Sequence, residues 1–93
     1  METQTTATAK PSKEYNGHID KGHWNVALWI GNEEHTYRFA MAAIRDAKQN
    51  PSRIHWLTRA TRHFLAIYEG SRTPDGFKYT FGRVKEALRD LDD

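Results

Sequence analysis

Apolar residues fall into four blocks along the chain, each closed by a turn-forming residue. The densest is Trp24-Asn25-Val26-Ala27-Leu28-Trp29-Ile30, in which Asn25 alone is polar. A segment apolar all round is expected to be buried on nearly every side, with Trp24 and Trp29 in the core. Trp24, Val26, Leu28 and Ile30 alternate as in a strand, while Trp24, Ala27 and Leu28 share a helical face. The reading favoured is a short helix that starts near Asp20 or His23 and stops at Gly31. The strand alternative would pair Trp24–Ile30 with Phe77–Tyr79 in a small hairpin.

Three further helices follow from spacing. Tyr37, Ala40, Met41, Ile44 and Ala47 recur with helical period, which predicts a helix over Glu33–Gln49. Asn32 is placed to cap it, Glu33 and Glu34 suit its positive end, and Asn50-Pro51 ends it. Ser52 is placed to cap a helix over Arg53–Glu69, with Leu57, Thr61, Phe64, Leu65 and Tyr68 on one face and Gly70 beyond its end. Thr73-Pro74-Asp75-Gly76 is a turn, because Pro presets one dihedral and Gly tolerates positive φ. Phe81, Val84, Leu88 and Leu91 predict a last helix over Phe81–Leu91, capped by Thr80. The segment from Met1 to Lys13 has no periodicity and few large apolar residues, so it reads as a disordered tail. The expected architecture is a mainly α, compact three- to four-helix single domain over residues 14–93, with a disordered tail over 1–13 and an α+β fold carrying a small hairpin as the alternative.

Size and composition set limits on function. The chain has 93 residues, three Trp, four Tyr, four Phe and no Cys, so aromatic burial can sustain one core while thiol catalysis, disulfides and thiolate zinc sites are excluded. It holds no apolar run of the roughly 20 residues that cross a bilayer and no secretory-type leader, so a cytoplasmic protein with no membrane association is expected. Net charge is +2 but uneven. Residues 53–85 carry seven basic and two acidic side chains, whereas residues 86–93 carry one and four.

Catalytic patterns are scarce. Ser and His are present without a nucleophile elbow, and there is no glycine-rich phosphate loop. The pair Glu33/Glu34 is explained by the helix start and the pair Asp92/Asp93 by a solvated terminus. Of the five histidines, His18 and His23 lie in a turn. His55 and His63 are two helical turns apart, too far to share a metal without a further ligand such as His35. A non-enzymatic protein with no cofactor and no metal is the expectation.

The sharpest chemical feature is a basic helix face. His55, Arg59 and Arg62 fall at i, i+4 and i+7, opposite the apolar stripe. Arg53 and Arg72 extend the row, and Trp56 sits at its apolar border as an amphipathic anchor. Arg side chains suit phosphate or carboxylate because the planar guanidinium donates two hydrogen bonds at once. Arg53, His55, Trp56, Arg59, Arg62 and Arg72 are therefore the candidate surface for a protein partner or for nucleic acid. The low overall charge weighs against the latter.

Asn16-Gly17, the run Trp24 to Glu34, and Tyr37 together resemble a family of small uncharacterised proteins of bacteriophages and other mobile elements. Its pattern is Asn-Gly-Trp, then Trp, Val-x-Leu-Trp-Leu/Ile, and Asn-Asp/Glu-Glu; Thr73-Pro74-Asp75-Gly76 is similar to a turn near its C-terminus. Here His18 stands where that pattern has Trp, and Asp20-Lys21-Gly22-His23 stands where it has Asn-Tyr-Glu-Thr. The resemblance implies a mobile-element origin and carries no mechanism. A small accessory protein that binds a host protein is the expected function, with a nucleic-acid-binding module as the alternative.

Overall fold

The computed structural model describes residues 20–92. The expected tail over 1–13, and the Asn16, Gly17 and His18 part of the motif, lie outside those residues. Four helices make up the described chain: α1 (Lys21–Asn32), α2 (Glu34–Gln49), α3 (Trp56–Tyr68) and α4 (Phe81–Asp92). The helical reading of the Trp-rich run holds, and the hairpin that would have used it does not form. Between α3 and α4 the backbone makes one isolated antiparallel bridge, Arg72 to Lys78, around the Thr73–Gly76 turn.

The helix starts show which side chain wins each set of free amides. Asp20 caps α1, accepting from the His23 N–H at 2.9 Å. α2 is capped by Glu33 rather than by Asn32. Asn32 stays in the last turn of α1, while Glu33 turns extended and its carboxylate accepts from both the N–H and the hydroxyl of Thr36 at 2.7 and 2.6 Å. One residue thus ends α1 and starts α2, which makes the joint sharp. α3 begins three residues later than its pattern predicts. Ser52 spends its hydroxyl on a local turn with the Ile54 N–H, and His55 caps the helix through Nδ1. Thr80 accepts from the Arg83 N–H at 3.4 Å at the start of α4, as expected. Gly70 and Gly76 take φ of +88° and +95°, which the absence of a Cβ permits.

α1 packs on α2 and α4, and α3 packs on α2 and α4. Their shared core holds Val26, Ile30, Ile44, Leu57, Phe64, Val84 and Leu88, with Ala40, Ala43, Ala60 and Ala87 where helices approach closely. Phe64 stacks on Tyr68 at 4.6 Å and meets Tyr79 and Phe39 at 5.8 Å. Burial holds the Tyr79 hydroxyl above its ordinary pKa, with Tyr68 and Glu33 adding to the rise.

Four expected core positions are corrected. Trp24 and Trp29 are only partly buried, and neither belongs to the central cluster or packs against it. Trp24 and Leu28 lie on the side of α1 away from Gly22, Val26 and Ile30, as 100° per residue requires. Tyr37 and Phe81 are 39% and 41% exposed, although both fit the apolar spacing of their helices. Thr36 and Ala43 fill the interior of α2 instead.

Candidate functional site

Two surfaces concentrate side-chain chemistry. The first joins α1 to the Thr73–Gly76 turn. Asn25 is 1% exposed. Its Nδ2 donates to Asp75 Oδ2 at 2.7 Å and its Oδ1 accepts from the Thr73 hydroxyl at 2.7 Å. Trp29 Nε1 donates to the same Asp75 oxygen at 2.9 Å. An ionised carboxylate only accepts, so the amide must turn its NH2 to Asp75 and its carbonyl to Thr73. The turn closes itself as well: the Gly76 N–H donates to the Thr73 carbonyl at 2.8 Å, and the Phe77 N–H to the Thr73 hydroxyl at 3.2 Å. The bonds from Asn25, then from Trp29, hold the Asp75 carboxyl below the usual carboxylate range. This constellation was missed from sequence. Its signal was Asn25 itself, an amide in an otherwise apolar run, which burial obliges to find partners.

The expected site lies elsewhere, on α3. His55 and Arg62 are exposed and Arg59 is half-buried, in one row on the solvent side of the helix. Helix α3 contains no acidic residue. Arg59 Nε donates to the Ile54 carbonyl at 2.9 Å, which pins its guanidinium over the start of the helix. Arg62 has no hydrogen-bond or ion-pair partner among the described residues. Trp56 is half-buried, with Lys48 Nζ 4.8 Å from its ring centre and the His55 ring 5.5 Å away. Lys48 in turn pairs with Asp92 at 2.7 Å, so one face of the indole is already occupied.

Arg53 and Arg72 do not extend a single patch. One precedes α3 and the other follows it, at opposite ends of about 20 Å of helix, and Arg72 donates into its own loop at the Gly76 carbonyl. Arg83 is likewise tied, donating to the Lys78 carbonyl at 3.0 Å, and Lys85 lies 5.9 Å from the Phe81 ring.

The sequence profile of a family of unknown function, DUF7249, matches residues 11–91. The chain belongs to this family. The match runs through all four helices, so the Asn25–Asp75 contact and the α3 face both lie inside the family's unit. No curated protein and no solved structure matches the chain.

The histidines are dispersed. His23 bonds Asp20 at 2.9 Å, His55 caps α3, and His63 meets the Phe39 ring edge-on at 5.4 Å. Among the described residues no three His, Asp or Glu side chains converge as metal ligands do, and no helix is long and apolar enough to cross a membrane.

Proposed function

We propose that the chain is a small, non-enzymatic accessory protein of a phage or mobile element that acts by binding a host protein through the solvent side of α3. The observation that carries this reading is that α3, a helix free of acidic residues, shows solvent both Arg62, which has no partner among the described residues, and Ile67, which is 65% exposed. Exposed apolar side chains and guanidinium groups on one helix are in keeping with the composition of protein-binding surfaces, where the apolar part gives burial and the cation gives register. The phage or mobile-element origin rests on the resemblance of the Trp24–Glu34 run to proteins of that source.

The row His55, Arg59 and Arg62 favours nucleic acid as a second reading, since cations without neighbouring acids suit phosphate. It is the weaker one. Arg59 is partly spent on the Ile54 carbonyl, Arg72 stands apart, and Ile67 offers a phosphate backbone nothing.

Affinity capture with the tagged full chain from host lysate separates the two. A protein that co-elutes with the wild type and is lost with Arg62→Glu and with Ile67→Glu supports the first reading. Nuclease-sensitive, salt-dependent retention on DNA or RNA that responds to Arg62→Glu but not to Ile67→Glu supports the second.

A further inference from the structure

We infer that the start of α3 is a pH-sensitive joint, in which protonation of His55 releases the first turn of the helix and frees the Arg59 guanidinium. The joint is a property of the free chain and holds whatever α3 binds.

Each described helix begins at a side-chain acceptor, and the acceptors differ in chemistry. Asp20 and Glu33 cap α1 and α2 through carboxylates, and the Thr80 hydroxyl accepts at the start of α4. α3 is capped by an imidazole: the Leu57 N–H donates to His55 Nδ1 at 3.1 Å. That bond exists only while Nδ1 keeps its lone pair, so the neutral ring carries its proton on Nε2. A proton taken up at Nδ1 turns the acceptor into a donor facing another donor. It also sets a positive charge against the free amides of a helix start, where the helix dipole opposes it. Of these three kinds of cap, the imidazole is the one that loses its acceptor in mildly acidic solution.

Nothing nearby takes over the cap. The Ser52 hydroxyl already accepts from the Ile54 N–H at 3.1 Å, and the first turn of α3 contains no acidic residue. On its own side His55 has Arg53 before the helix and Arg59 one turn on. From the elements packed against this end come Asp46 and Lys48 of α2 and Arg89, Asp90 and Asp92 of α4. Asp92 pairs with Lys48 at 2.7 Å and Asp90 with Arg89 at 3.7 Å. No carboxylate among the described residues pairs with His55, so no ion pair holds the imidazolium at the cap. The Trp56 ring, centred 5.5 Å from the imidazole and tilted 34° to it, offers the cation a π face instead.

The consequence reaches the solvent side of α3. Arg59 Nε donates to the Ile54 carbonyl at 2.9 Å, and the Arg59 N–H donates to the His55 carbonyl at 3.3 Å. Both acceptors belong to the segment that His55 anchors. When that segment loosens, the Arg59 guanidinium is released beside Arg62, three residues on. α3 then shows two free guanidinium groups in place of one.

The test follows the full chain by NMR from about pH 8 to about pH 5, the range in which imidazoles titrate. Each histidine ring gives its own titration curve, and the Leu57 amide reports the cap. In the wild type that amide should move with the midpoint of the His55 ring. The Arg59 amide should lose about fivefold of its hydrogen-exchange protection, corrected for the intrinsic pH dependence of exchange. His55→Asp supplies an acceptor that stays ionised throughout, so its Leu57 amide should stay fixed. His55→Ala has no cap at any pH, and its Arg59 amide should show the lower protection across the whole range. His55 is exposed, so both variants leave the core intact. A Leu57 amide that stays still while the His55 ring titrates overturns the inference. So does a His55→Asp chain whose Arg59 amide loses protection as the wild type does.

Discussion

Replacing Asn25 by Ala tests whether the α1–turn contact holds the fold together. The substitution removes the acceptor of the Thr73 hydroxyl, and Thr73 is only 4% exposed. A buried hydroxyl left without an acceptor costs about 1–3 kcal/mol. Loss of the amide's packing in a fully buried position adds about 1 kcal/mol. The expected destabilisation is about 2–4 kcal/mol, out of the 5–15 kcal/mol typical of small proteins. At about 4–8 °C per kcal/mol for a chain of this size, the melting temperature falls by about 8–32 °C. Asp75→Ala serves as the internal control. Its carboxylate is at the surface, where water replaces it against both Asn25 and Trp29, so its melting shift should be less than half that of Asn25→Ala. Thermal melts followed by circular dichroism give both numbers. An Asn25→Ala protein that melts within about 3 °C of the wild type, less than 1 kcal/mol by the same scale, refutes the reasoning. So does an Asp75→Ala protein that is the less stable of the two.

Other outcomes follow from the same contacts. Phe64→Ala empties the centre of the aromatic cluster and should cost about 3–5 kcal/mol, enough to leave little folded protein by denaturant titration, whereas Trp24→Ala should leave the unfolding midpoint close to wild type. A Cβ on Gly22 would fall 2.5 Å from Arg83 Nη2. Gly22→Ala should therefore be near neutral in the native background but stabilising by about 0.5 kcal/mol once Arg83 is also Ala, because only the better helix propensity then remains. Asp20, Glu33 and Asp75 are held below ordinary carboxylate values by the hydrogen bonds they accept: Asp20 from His23, Glu33 from Thr36, and Asp75 from Asn25 and Trp29. A depressed folded-state value gives stability that is complete above the unfolded value of about 4 and is lost as pH falls through the folded one. The contribution of these three groups should be constant from neutral pH to about 4 and decline below it. Asp75→Asn should flatten part of that acid decline in a series of melts against pH.

Local signals carried most of the architecture. Periodicity located α2 and α4 to within a residue, and Gly70, Gly76 and Pro74 marked the turns. Periodicity does not report which groups compete for a helix's first amides. For that reason Glu33 displaced Asn32 as a cap, and His55 displaced Ser52. Nor does it report distance along the chain. Asn25 and Thr73 are 48 residues apart, and only the packing of α1 against the α3–α4 loop shows that an indole expected to be core is drawn to the surface by a carboxylate. Tyr37 and Phe81 were misplaced for a related reason. Thr36, Ala40 and Ala43 carry the buried face of α2, which leaves Tyr37 on its flank, and Phe81 is the first residue of α4, ahead of the buried Val84, Ala87 and Leu88. On the candidate site, the i, i+4, i+7 row of His55, Arg59 and Arg62 was legible. The exposure of Ile67 was not, because it belongs neither to that row nor to the apolar stripe of Leu57, Thr61, Phe64, Leu65 and Tyr68.

The most distinctive sequence in the chain and its best candidate surface therefore lie in different places, and the reason is physical. In the Trp24–Ile30 run and the Thr73–Gly76 turn, the polar side chains satisfy one another: Asn25 and Trp29 donate to Asp75, and Thr73 donates to Asn25. Groups so engaged bind a partner only by giving up bonds that hold α1 to the loop. On α3 the situation is reversed. Arg62 and Ile67 satisfy nothing inside the described fold, and their engagement by a partner breaks no internal contact. A surface whose side chains are idle in the free protein can bind without loss of stability, which is why the solvent side of α3, rather than the tryptophan-rich helix, is where partner binding is expected.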